Sequence, residues 1–210
     1  GNILAGTDGG GIFMSTNNGN NWSPVNTGLT NNRINAIVTS GNYVFAGTSG
    51  SGVFLSSNNG TSWSAMNNGL PAYSSIYSIA VNGNNVFAGT SNGGVYLSNN
   101  NGISWSATNF GLPGNASVIS LAINGSNIYA GTNNSGLFLS INNGASWVSL
   151  NTGSSSNYVS SIGIDANNIF VATSSGLYLS SNNGVSWTTV ITGLSSSSVI
   201  YTIAISGNNI

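Results

Sequence analysis

Three side chains carry all the formal side-chain charge in this 210-residue sequence: Asp8, Asp165 and Arg33. There is no histidine, lysine, glutamate or cysteine. A glycosidase normally sets two carboxylates across the scissile bond. Here only Asp8 and Asp165 are available, and the strand pattern places them in turns on opposite faces. No His or Lys can shuttle a proton, and no base can activate a serine. Thiolate metal sites and disulfides are excluded, and no carboxylate cluster exists to hold calcium. The expectation is therefore no catalysis, no cofactor and no metal. What remains is the chemistry of neutral groups. Aromatic rings stack on sugar faces, and amides offer paired donors and acceptors to hydroxyls.

Charged residues make up 1% of the chain, against about a quarter of an ordinary globular sequence. Asn, Ser, Thr and Gly must solvate the surface instead. Neutralising phosphates takes several Lys or Arg, so no nucleic-acid partner is expected, and anionic lipid is excluded for the same reason. No apolar run reaches membrane-spanning length. A net charge of −1 leaves little colloidal repulsion, so self-association is open. The chain starts at Gly1 without a visible signal peptide and reads as a mature fragment. Low charge, absent cysteine and Asn/Ser/Thr richness point to a secreted bacterial protein.

The elements that must position any binding groups announce themselves as repeats. Five times an octapeptide returns: serine, any residue, two asparagines, glycine, any residue, a small polar residue, tryptophan. Its third position holds Asn17, Asn58, Asn100, Asn142 and Asn182, and its last holds Trp22, Trp63, Trp105, Trp147 and Trp187. The tryptophans are 41, 42, 42 and 40 residues apart, the period of a propeller or solenoid unit. Asn-Gly accepts the positive φ of tight turns, the preceding Asn can form an Asx-turn, and the indole N–H needs a partner once buried. The phrase reads as a folding staple.

Upstream of the phrase most units carry Ala-Gly-Thr or a variant (Ala46-Gly47-Thr48, Ala88-Gly89-Thr90, Ala130-Gly131-Thr132, Val171-Ala172-Thr173). Most units end in Gly-Leu (Gly28-Leu29, Gly69-Leu70, Gly111-Leu112, Gly193-Leu194). Together these resemble the Asp-box of BNR repeat β-propellers, found in sialidases, glucan hydrolases, sortilin-type receptors and photosystem II assembly factors. Asn replaces the Asp of the box in all five copies. The resemblance implies a propeller across the whole chain but does not choose a function, since the box recurs in enzymes and binders alike. A sialidase would need an arginine cluster, a tyrosine with a glutamate, and an acid/base aspartate. One Arg and no Glu cannot supply them.

Each unit contains four short apolar runs between glycine-rich turns, as in Ile34–Val38, Val44–Ala46, Val53–Leu55 and Trp63–Met66, and no helical periodicity. The expected fold is a single all-β domain over 1–210: a five-bladed propeller with four antiparallel strands per blade. Asn2 to Thr7 is then a second strand without its first, and Val199 to Ser206 a first strand without its unit. With Ile210 placed on Ile3, the count from Trp187 through the ends to Trp22 is 42, the internal period. The C-terminal strand would complete the first blade in a 3+1 closure. Five units of a longer array, or closure between molecules, are the alternatives.

In such propellers ligands favour the face that carries the blade-to-blade connections. Here that face would hold Asp8, Arg33, Tyr73, Phe110, Asn115 and Tyr158. Asp8 and Arg33 lie on adjacent blades and read as an exposed ion pair. Tyr73, Phe110 and Tyr158, with Asn115 beside them, suit a neutral glycan, in outline like the five-bladed tachylectin-type sugar binders. Alternatively the rings pack over the blade tops, and the chain is a structural, self-assembling or protein-binding scaffold.

Overall fold

The computed structural model describes residues 1–190 and 199–205. Among these there is no helix and there are nineteen strands in five antiparallel sheets. The first sheet has three strands, β1 (Ile3–Thr7), β2 (Gly11–Ser15) and β3 (Ser23–Pro24). The second has four: β4 (Ile34–Ser40), β5 (Tyr43–Thr48), β6 (Val53–Ser56) and β7 (Ser64–Ala65). The third repeats them as β8 (Ile76–Asn82), β9 (Asn85–Thr90), β10 (Val95–Ser98) and β11 (Ser106–Ala107). The fourth is β12 (Val118–Asn124), β13 (Asn127–Thr132), β14 (Leu137–Ser140) and β15 (Val148–Leu150). The fifth is β16 (Val159–Asp165), β17 (Asn168–Thr173), β18 (Gly176–Ser180) and β19 (Thr188–Thr189). Strands follow one another in sheet order as simple meanders, as runs separated by turn residues predict.

Two compact units contain these sheets. One comprises Gly1–Ser91 with Tyr96–Ala107, the other Asn92–Val95 with Thr108–Ile210. In each four-stranded sheet the second strand is almost wholly buried. This explains its continuous apolar run, since a sheet covered on both faces has no solvent side to alternate toward. In the first unit Ile12, Ile34, Ala46, Phe54 and Trp63 form one core, and Phe45, Val53, Ile76, Val86 and Trp105 another. Tyr129, Leu137, Val159, Ile169 and Val171 form the core of the second unit.

The Ala-Gly-Thr glycine sets how closely neighbouring sheets approach. A Cβ on Gly6 would lie 2.6 Å from Ile34 Cγ2, and one on Gly47 would lie 2.8 Å from Ile76 Cγ2. In the second unit a Cβ on Gly131 would lie 2.5 Å from Val159 Cγ1. The glycine is the socket for the first β-branched residue of the next sheet. Polar cross-links accompany it: Asn35 Nδ2 donates to Ile76 O at 3.1 Å, and Ser120 Oγ to Val159 O at 3.2 Å.

Among the described residues the first sheet has three strands, and residues 199–205 form none. They lie on β16. Ser160 Oγ donates to Ile200 O at 2.5 Å, Ile203 N donates to Ser161 Oγ at 3.0 Å, and Ile203 and Ile205 face Gly163. These contacts join side chain to backbone across stacked sheets, and they build no ladder. Ser206 and the Gly193-Leu194 motif fall outside the described residues.

Candidate functional site

The five octapeptide turns are built alike. Their second asparagine is left-handed in every copy, at φ +58, +58, +56, +54 and +56 for Asn18, Asn59, Asn101, Asn143 and Asn183. The glycine that follows is also at positive φ. In the second copy Ser56 Oγ accepts from Gly60 N and donates to Asn58 Oδ1, both at 2.8 Å. Asn58 Oδ1 also accepts from Ser62 N at 3.0 Å, while Asn58 Nδ2 donates to Ser62 Oγ at 2.8 Å. The same amide-to-serine bond recurs at Asn100, Asn142 and Asn182. The amide therefore does what a carboxylate acceptor would and adds a donor, all within the turn. Both amide atoms of Asn58, Asn100, Asn142 and Asn182, and the amide oxygen of Asn17, are engaged within their own turns.

Three of the five tryptophans bond the loop that precedes their own sheet. Trp63 Nε1 donates to Val25 O at 2.8 Å, Trp105 Nε1 to Met66 O at 2.8 Å, and Trp147 Nε1 to Thr108 O at 2.7 Å. Their backbone N–H groups bond Thr27 O, Asn68 O and Phe110 O. The Gly-Leu glycine makes room: a Cβ on Gly28, Gly69 or Gly111 would fall 2.0 to 2.1 Å from the tryptophan carbonyl oxygen. Trp22 and Trp187 bond the glycine of their own turn instead, Gly19 O and Gly184 O. The Trp22 ring is 41% exposed.

A second recurring device sits four residues after a tryptophan. Asn26, Asn67 and Asn109 clamp the starts of β2, β6 and β10 in their own sheets. Oδ1 accepts from Ile12 N, Val53 N and Val95 N at 2.7 to 2.8 Å, and Nδ2 donates to Gly10 O, Ser51 O and Gly93 O. This fixed offset was legible in the sequence but was not recognised as a clamp. Asn151 breaks the pattern by accepting from Gly153 N.

On this rigid frame the expected ligand-face residues take different positions. Asp8 and Arg33 meet, with Nε to Oδ1 at 2.7 Å and a backbone bridge between them. Both side chains are largely exposed, and Asp8 raises the already high guanidinium pKa further, chiefly through the hydrogen bond. Tyr73 tips the loop between β7 and β8 at φ +59, with its ring 91% exposed. The backbone beneath it is pinned, because Ser74 N and Oγ donate to Pro71 O and Ser74 O accepts from Gly52 N. In the second unit Phe110, 80% exposed, and exposed Asn115 share the loop between β11 and β12. Tyr158 is half-buried beside a serine network, with its N–H on Ser156 Oγ at 3.1 Å. Asp165 ends β16 at a hairpin turn. Among the described residues no three metal-ligating side chains converge, and no helix is long and apolar enough to cross a membrane.

A search of curated proteins finds no match. Among solved structures the chain is similar to an ancestral GH74 enzyme, with TM-score 0.78 and 23% identity over 93% of this chain and 30% of that one. It is similar to the extracellular domain of a one-component system from B. thetaiotaomicron, with TM-score 0.80 and 19% identity over 99% and 29%. It also resembles YCF48 bound to D1 peptide, with TM-score 0.64 and 16% identity over 86% and 61%. The chain thus spans about 30% of the length of the first two, and at these identities the likeness establishes fold alone. The family described as DUF6242 beta propeller domain matches residues 3–117 and again 30–151. With more than half of its residues matched, the chain belongs to the DUF6242 β-propeller domain family.

Proposed function

We propose that this propeller is a non-catalytic, extracellular binding module that takes a neutral glycan on its inter-blade loops. The carrying observation is Tyr73. A non-glycine residue at φ +59 holds strain of about 1–3 kcal/mol, and its ring faces solvent. The corresponding loop of the next repeat, Gly114-Asn115, takes no positive φ, so the left-handed turn under Tyr73 is particular to this loop. Strain that displays an aromatic ring is accounted for by what the ring binds. Phe110, with Asn115 in its loop, offers the same chemistry in the second unit. The side-chain inventory supports a neutral ligand and the absence of catalysis. The likeness to the extracellular domain of a one-component system supports placement outside the cell.

The test is titration of a neutral glycan panel against the parent, Tyr73→Ala and Phe110→Ala. Losing a stacking ring should weaken binding by ~1–3 kcal/mol, by analogy with base stacking on aromatics. A parent that binds no glycan, with variants that lose only stability, would overturn the proposal.

A protein-binding or self-assembling scaffold is the second reading. The likeness to YCF48 bound to D1 peptide favours it, as does the outer edge of β1, which pairs with no other described strand. On this view the turns are Asp-box turns with Asn for Asp. The strand from Val199 completes the first blade in a 3+1 closure, within one chain or between chains. The mass in dilute solution separates those two cases, and deleting residues 199–210 should cause aggregation if either holds.

A further inference from the structure

Within the first unit, the hairpins β4–β5 and β8–β9 and two of the octapeptide turns enclose a cleft of about 480 Å³. Its volume falls within the range of small-molecule sites. It lies at the end of the second sheet away from Arg33 and Thr48, so it is separate from the loop that carries Tyr73. We infer that this cleft is a second glycan-binding site, with Tyr43 as its stacking ring and the amides of Asn42, Asn84 and Asn101 as its hydroxyl partners.

Tyr43 is the first observation. The register that pairs Ser40 with Tyr43 pairs Asn82 with Asn85, Asn124 with Asn127 and Asp165 with Asn168. Three sheets thus place Asn where the second places a tyrosine, so the fold does not require a ring here. The ring is 39% exposed and lines the cleft. Its inner side is held by buried Phe45, with centroids 6.5 Å apart and planes at 48°. A ring fixed on one side and open on the other is a stacking platform.

The amides are the second observation. Asn58 and Asn100 spend both amide atoms inside their turns. The side chains of Asn42, Asn84 and Asn101, by contrast, make no hydrogen bond to another described residue, and all three line the cleft. Asn101 N donates to Asn84 O at 3.3 Å, which ties one wall to the other. Both hairpins turn on two residues, with Gly41 at φ +58 and Gly83 at φ +61, so Asn42 and Asn84 ride on short, stiff connections. No residue of the lining carries a charge at neutral pH, which favours a neutral ligand. Three unspent amides and the serine hydroxyls of Ser40 and Ser57 suit a ligand rich in hydroxyls better than an apolar one.

This site does not depend on Tyr73 or Phe110, and one experiment separates the two readings. Backbone and side-chain amide NMR signals of the 210-residue chain are followed during titration with cellotriose, xylotriose, chitotriose and maltotriose. At least one sugar should shift the signals of Asn42, Tyr43, Asn84 and Asn101. Tyr43→Asn, which installs the residue found in the other repeats and so should fold, should weaken that binding at least fivefold, while Tyr43→Phe should retain it. Shifts confined to the Tyr73 or Phe110 loops would overturn this inference and uphold the loop site. Shifts confined to the cleft would do the reverse. No shift with any sugar, or Tyr43→Asn binding like the parent, overturns the cleft.

Discussion

Replacing Gly111 by alanine tests how Trp147 is held to the loop between β11 and β12, within the second unit. Gly111 has φ +95, and an added Cβ would stand 2.1 Å from Trp147 O. The left-handed conformation alone costs an alanine about 1–2 kcal/mol. The collision is with main chain, which has no rotamer to escape into, so Trp147 must move. Its two bonds to the preceding loop, N–H to Phe110 O and Nε1–H to Thr108 O, move with it. Each contributes about 0.5–1.5 kcal/mol. The expected total is about 2–5 kcal/mol. Gly125→Ala supplies the control in the same unit, because its φ is +60 and the added Cβ meets open space; it should cost only the conformational ~1–2 kcal/mol. Urea unfolding followed by tryptophan fluorescence would report both, and equal shifts of the two midpoints would refute the joint.

Asn58→Asp should leave stability nearly unchanged, because a carboxylate keeps the acceptor used by Ser62 N and Ser56 Oγ. Asn58→Ala should cost ~1 kcal/mol or more, read by thermal melting. Trp105→Phe removes the donor to Met66 O and should destabilise by ~1–3 kcal/mol, whereas Trp22→Phe breaks only a local, exposed bond and should stay within about 0.5 kcal/mol in urea melts. Stability should be flat between pH 5 and 9. Burial raises the Tyr129 phenol above its ordinary value of 10. An unfolded tyrosine therefore ionises first, and its stabilising share is complete below pH ~10 and lost as pH climbs through the folded pKa. A melting temperature that moved several degrees between pH 5 and 8 would contradict this. Asp8→Asn should not move the melting temperature, because the pair it breaks is exposed.

The five octapeptides were the legible part of this molecule, because a tight turn needs particular residues at particular places. Asn18 and Gly19 take the positive φ that Asn-Gly predicts, and four strands per unit followed from the apolar runs between such turns. The Asp8–Arg33 pair was legible too, from adjacent positions in successive repeats. Joints between sheets were less so. Trp63 visibly needed a partner for its N–H, but a backbone carbonyl 38 residues upstream leaves no mark in a sequence. The strand-start clamp of Asn26, Asn67 and Asn109 did leave one, and was missed because Asn is common everywhere in this chain. At the ends, counting residues placed Val199 to Ser206 beside β1. Residues 199–205 lie against β16, on which the apolar pattern of a first strand can stack. The cleft beside Tyr43 was hidden for another reason: one tyrosine among repeated asparagines is conspicuous only once the register is known.

The acceptors of the three indole-to-loop bonds belong to Val25, Met66 and Thr108. Their side chains have nothing in common, and the indole reads only the carbonyl that every residue carries. A coupling of this kind works like a standard thread: any unit that supplies a tryptophan at its turn fits any unit that supplies a loop of the right length. Duplicating or deleting a repeat then leaves this bond in place, while the glycine sockets still require the residue facing them to match, and loop tips such as Tyr73 can change without touching it. The same indifference that makes this coupling interchangeable leaves the exposed ends of the units free to specialise one at a time.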